Sequence, residues 1–135
     1  MLRVWKAEPE RWRSELSVWA RSLSERSEVL AVVLFGSLAQ GRATAMSDAD
    51  VLIVLRESAL PFAERMVVYK PQGLSIGVEV FPYTLEEARQ SWREGWGMVR
   101  PALQEGVVLF ERPGALAQVK RLETEEASPN HLKFR

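Results

Sequence analysis

Val33-Leu-Phe-Gly-Ser-Leu-Ala-Gln-Gly-Arg-Ala-Thr-Ala-Met-Ser-Asp-Ala-Asp-Val-Leu-Ile-Val54 carries one apolar run through a small polar bend into another. The first run, Val29 to Phe35, is rich in β-branched residues and stops at Gly36. The second, Asp50 to Leu55, has the same character and is entered through Asp48-Ala49. Short continuous apolar runs ended by turn residues are the pattern of strands buried on both faces. Between them, Ser37 to Gly41 suits a single helical turn, and Arg42 to Ser47, polar and small, suits a loop.

Three features of this region point to phosphate chemistry. Gly36 follows a buried strand directly, where a glycine permits a tight turn and close approach of backbone to a ligand. Ser37 then offers either a cap for the turn or a hydroxyl for a phosphate, beside backbone N–H groups that favour anions. Asp48 and Asp50 are two apart. On extended chain they point to one side, roughly 6.6 Å apart at Cα from a rise of ~3.3 Å per residue. Carboxylates at that spacing can converge on one or two hard cations, which sit about 3.5–4 Å apart in phosphoryl-transfer sites. Mg²⁺ is the fitting ion, because it takes a few carboxylates and fills its shell with water and substrate phosphates. Glu79 lies in a separate apolar stretch. If that stretch pairs beside the Asp50 strand, Glu79 becomes a third ligand or the base that deprotonates an acceptor hydroxyl.

The order Gly36-Ser37, Gly41, then Ser47-Asp48-Ala49-Asp50 and a hydrophobic strand resembles the signature of the polymerase-β-type nucleotidyltransferase superfamily. The size of the chain and the stretch Leu103-Gln-Glu-Gly-Val-Val-Leu-Phe-Glu111 resemble its minimal prokaryotic branch, the MNT proteins paired with HEPN partners. The likeness is close over Val29 to Phe81 and looser beyond. It implies that Gly36 and Ser37 hold a triphosphate, that Asp48 and Asp50 bind Mg²⁺, and that Glu79 completes the site. It also implies ATP as the substrate, a HEPN protein as the acceptor, and an antitoxin role. Two positions depart from the family pattern. Gln40 stands where an arginine often precedes the second glycine, with Arg42 following Gly41 instead; the third carboxylate, often aspartate, is Glu79. Arg42 reads either as a solvated loop cation or as a phosphate contact, and is the candidate nucleotide-binding cation ahead of Lys70 and Arg65.

Outward from this centre the chain alternates helix and strand signals. Pro9 to Ser24 reads as a helix, with Trp12, Leu16, Trp19 and Leu23 along one face and Pro9 in its first turn. Pro61 followed by Phe62 to Met66 suggests another. Gln72-Gly73 marks a turn, and Leu74 to Phe81 a third strand, with Ile76, Val78 and Val80 on one face and Gly77, Glu79 and Phe81 on the other. Thr84-Leu-Glu-Glu87 is a capping box that starts a helix at Leu85. Gly95 and Gly97 interrupt it; a helical piece from Met98 to Gln104 ends at Gly106. Val107 to Phe110 suits a last strand and Ala115 to Leu122 a last helix. Trp92 and Trp96, four apart, suggest one helical face, core or partner surface. The expected fold is α+β: a mixed sheet with helices packed mainly on one face, in one domain over 1–122, and a polar tail over 123–135 in which His131 has no role.

Composition narrows the class. The 135 residues are 47% apolar and 27% charged, ordinary for a globular domain. Lys plus Arg and Asp plus Glu both number 18, so no cationic excess supports non-specific nucleic-acid binding. Zero net charge also leaves homo-oligomerisation open. No cysteine is present, so disulfides and thiolate metal sites are excluded and a cytoplasmic setting is expected. No apolar run reaches the length of a membrane span. The acceptor is expected to be supplied from outside the chain. Two rivals use the same residues: a catalytically weak binding module that neutralises its partner by contact, and a small-molecule nucleotidyltransferase acting as a dimer.

Overall fold

The structure, a computed structural model, describes residues 6–121. Nine elements follow in chain order: α1 (Pro9–Leu23), β1 (Val29–Phe35), β2 (Ala49–Leu55), α2 (Phe62–Tyr69), β3 (Val78–Thr84), α3 (Leu85–Glu94), α4 (Val99–Glu105), β4 (Val107–Glu111) and α5 (Ala115–Lys120). The polar tail over 123–135 lies outside the described residues, and the last helix, expected to reach Leu122, ends at Lys120, where Arg121 turns extended.

The strands form one sheet in the order β3-β2-β1-β4. β1 pairs antiparallel with both β2 and β4, while β2 and β3 run parallel. This is the mixed sheet expected. β1 and β2 occupy the centre, which explains their continuous apolar character: both faces are covered. On one face, Trp12, Leu16, Ala20 and Leu23 of α1 pack on Val32, Leu34, Val51 and Ile53. On the other, Ala88 of α3, Val99 and Ala102 of α4, and Ala115 and Val119 of α5 pack on Val33, Leu52 and Val54. Three of the five helices thus share one face, and α1 closes the opposite one. Among the described residues no helix is long and apolar enough to cross a membrane.

Two elements depart from expectation. The third strand begins at Val78 rather than Leu74 and runs on through Pro82 to Thr84. Its lead-in is held by α1 as well as by β2: Ser75 donates both its backbone N–H and its hydroxyl to Glu15, and Gly77 O accepts from Ala49 N–H at 2.8 Å. Pro82 is tolerated because β3 is an edge strand and needs no donor there. Trp92 and Trp96 do not share a helix face, because α3 ends at Glu94. Trp92 packs on the core, whereas Trp96 is 41% exposed. The capping box forms as read: Glu87 N–H donates to the Thr84 hydroxyl at 3.2 Å, and Thr84 N–H to the Glu87 carboxylate at 2.9 Å.

Candidate active site

The site is built where β1, β2 and β3 begin or end together. In the β1–β2 register Phe35 faces Asp50, and in the β2–β3 register Asp50 faces Glu79. Register partners on adjacent strands have side chains on the same side of the sheet. Glu79, Asp50 and the Phe35-Gly36 corner therefore form a row across three strands, each about 4.8 Å from the next. The sheet beneath is apolar: Phe35 and Phe81 pack ring against ring at 5.7 Å.

Both aspartates lie over bare backbone. A Cβ added to Gly36 would come within 2.5 Å of an Asp50 carboxylate oxygen, and one added to Gly77 within 2.5 Å of an Asp48 carboxylate oxygen. Gly36 is doubly constrained, because its φ of 81° lies in the left-handed region that L side chains avoid. Asp50 is half-buried, whereas Asp48 and Glu79 are exposed. Burial, then the neighbouring charges of Glu79 and Asp48, push the Asp50 carboxyl above its ordinary value. Among the described residues no cation pairs with any of the three. Hard oxygen donors that repel one another, with glycines clearing the space around them, fit a hard divalent ion. Among the described residues no three acidic or histidine side chains come close enough together to hold a metal ion by themselves.

The bend after β1 is stiffened on both sides. Gln40 N–H donates to Gly36 O at 3.1 Å and Arg42 N–H to Ser37 O at 2.8 Å, closing the expected turn. Arg13 of α1 donates to Leu38 O at 2.6 Å. The Ser37 hydroxyl lies 3.4 Å from that of Ser47, which also accepts from Thr44 N–H at 2.8 Å. Ser37 is thereby tied to the residue before Asp48. Arg42 forms no ion pair with these carboxylates among the described residues: its guanidinium donates to Gln40, whose amide donates to Glu105 at the end of α4, 2.6 Å away.

The structure thus brings together Gly36, Asp48, Asp50 and Glu79, with Ser37 alongside, while the exposed Arg42 guanidinium is engaged with Gln40. Sequence reasoning missed Gly77 as the floor under Asp48, and Arg13 as the pin on the bend. Gly77 carried a signal, since a glycine two residues before the key glutamate repeats the strand-end glycine logic of Gly36. Arg13 carried none; it reads as one more solvated helix cation.

Residues 16–101, more than half of the chain, match the family model described as a nucleotidyltransferase domain. The chain belongs to the nucleotidyltransferase domain family. The match runs from α1 into α4 and contains every residue of the row. As a nucleotidyltransferase domain, the chain is similar in structure to a protein from Sulfolobus solfataricus described as a candidate nucleotidyltransferase. The TM-score is 0.53 at 17% identity, over 77% of this chain and 84% of that one. Two toxin–antitoxin structures are also similar. One, a mutant of the toxin–antitoxin MntA-HpeT, gives a TM-score of 0.46 at 15% identity, over 90% of this chain and 88% of that one. The other, a toxin–antitoxin with AMP-PNP, gives 0.44 at 12% identity, over 93% and 95%. No curated protein sequence matches the chain.

Proposed function

We propose that this nucleotidyltransferase domain moves AMP from ATP onto a hydroxyl of a HEPN-type partner protein, acting as the antitoxin of a cytoplasmic toxin–antitoxin pair. The observation that carries the chemistry is the row: Glu79 in register with Asp50, and Asp50 seated over the bare Cα of Gly36. Asp48 and Asp50 would hold Mg²⁺, with Glu79 as third ligand or as base for the acceptor. The ion would supply charge neutralisation on the phosphate oxygens. Gly36, Ser37 and the N–H groups of the bend would receive the outer phosphates, with Arg42 adding a cation from the loop. The partner identity rests on the motif resemblance, not on the sheet geometry.

The test is incubation of the chain with its partner, Mg²⁺ and ATP labelled on the α-phosphate. Label should pass to the partner, and the double variant Asp48→Asn, Asp50→Asn should cut transfer by at least about a thousandfold, since metal stabilisation is worth several kcal/mol. An unlabelled partner, neutralised equally well by the double variant, would replace this reading with the contact-only module.

A further inference from the structure

Beside the row, on the side away from Gly36, lies a cleft of about 480 Å³ between α2 and the start of β3. Asp48 and Glu79 line one part of it; Met66, Val67, Lys70 and Gln72 line another. Neither Gly36 nor Ser37 reaches it. We infer that this cleft is where the acceptor enters, that Lys70 selects among acceptors, and that the acceptor is a protein hydroxyl with a carboxylate beside it. The inference rests on the proposed transfer reaction.

Direction follows from in-line displacement, in which the attacking and leaving oxygens lie on opposite sides of the phosphorus. In the reaction the acceptor oxygen forms a bond to the α-phosphorus. The bond from that phosphorus to the oxygen bridging the β-phosphate breaks, and pyrophosphate leaves with the electron pair. The hydroxyl proton passes to the Glu79 carboxylate. Pyrophosphate is held at the Gly36-Ser37 bend, on the β1 flank of Asp50. The attacking oxygen must then come from the β3 flank, about 10 Å across the sheet at one strand spacing per step. The cleft opens on that flank, with Glu79 in its lining.

The lining says what suits it. At this volume, near the low end of small-ligand sites of roughly 300–1,000 Å³, the cleft admits one or two side chains rather than a folded surface. Val67 is 78% exposed and Met66 is partly buried, so the wall offers apolar contact. Lys70 is the cation of the lining and forms no ion pair among the described residues. Asp48 and Glu79 are committed to the ion and the attacking hydroxyl. A neighbouring acidic group on the acceptor is therefore the natural counter-ion of Lys70. Zero net charge of the whole chain disfavours a nucleic-acid acceptor, which needs a cationic track.

The experiment uses the full chain, Mg²⁺, labelled ATP and matched short peptides bearing serine, threonine or tyrosine, flanked by glutamates or by lysines. A short RNA is a third arm. The wild type should label the glutamate-flanked peptides about fivefold better, the upper end for an exposed charge pair. Lys70→Glu should reverse that preference, which a merely structural role could not do. Magnesium–ATP affinity is read in parallel. A fall in that affinity as large as the loss of labelling would move Lys70 to the donor side and overturn the inference. So would a preference untouched by charge reversal, or label on the RNA in place of the peptides. Pyrophosphate release into water with every peptide unlabelled would also overturn it. A wild type that neither binds magnesium–ATP nor releases pyrophosphate would sink the transfer reaction itself, and this inference with it.

Discussion

The β2–β3 pair ends differently at its two extremities. At the start of the parallel pair, Asp50 and Glu79 face each other with Asp48 nearby and no cation among the described residues answers them. At the other end, Glu87 receives Arg65 at 2.6 and 3.1 Å, and the same carboxylate completes the Thr84 cap. Arg65, only 6% exposed, also donates to Leu60 O and Pro82 O. Electrostatics therefore pull the two ends in opposite directions. Burial and neighbouring charge raise the Asp50 carboxyl, whereas hydrogen bonds from Arg65 hold Glu87 below its ordinary range. The satisfied end fastens α2 to α3 and stabilises the fold. The unsatisfied end costs stability in the bare protein, because burial and neighbouring charge disfavour the ionised Asp50 carboxyl.

The largest break of this contrast is Asp50→Asn. Transfer should fall about a thousandfold with loss of the metal contribution, yet the metal-free variant should melt higher than wild type at pH 7. The sign follows from the raised pKa of the folded state. The stability linked to protonated Asp50 is fully present below the ordinary 3.8 and is lost as pH rises through the raised value. Thermal midpoints from pH 3 to 8 should therefore show the variant's advantage growing upward; a variant that melts lower throughout would contradict the strain described here.

Next is Glu87→Ala at the satisfied end, which leaves a buried guanidinium with carbonyl partners but no counter-charge and should cost about 1–3 kcal/mol in urea unfolding. Here the folded pKa is depressed. The contribution is present above the ordinary 4.5 and vanishes as pH falls through the lowered value, so wild type and variant should converge in acid. Transfer per folded molecule should hold.

The smallest effect separates the two glycines beneath the aspartates. Gly36→Ala meets both Asp50 and a left-handed φ of 81°, and should cost about 1–2 kcal/mol. Gly77→Ala displaces the Asp48 carboxylate but has no positive φ to violate. It should weaken magnesium–ATP binding measured by calorimetry while barely moving the urea midpoint. Equal stability losses at the two positions would remove the distinction.

Local pattern made much of this legible. β1 and β2 could be read because strands buried on both faces must be apolar throughout, and the Thr84–Glu87 box because a cap acts within four residues. Gly36 and Asp50 announced themselves by spacing around the bend. What eluded local reading were contacts between distant segments. Ser75 binds Glu15 of α1 ahead of β3, and α3 stopping at Glu94 separates Trp92 from Trp96.

The sequence by itself determined the elements and the kinds of donor that could meet a phosphate or an ion, because backbone preference and side-chain chemistry are properties of short windows. Only the tertiary structure decided that Asp50 faces Glu79, that Gly77 lies under Asp48, and that a cleft opens on the β3 flank. Strand order and register join residues about thirty apart, and sheet pairing depends on packing the whole chain rather than on any single stretch.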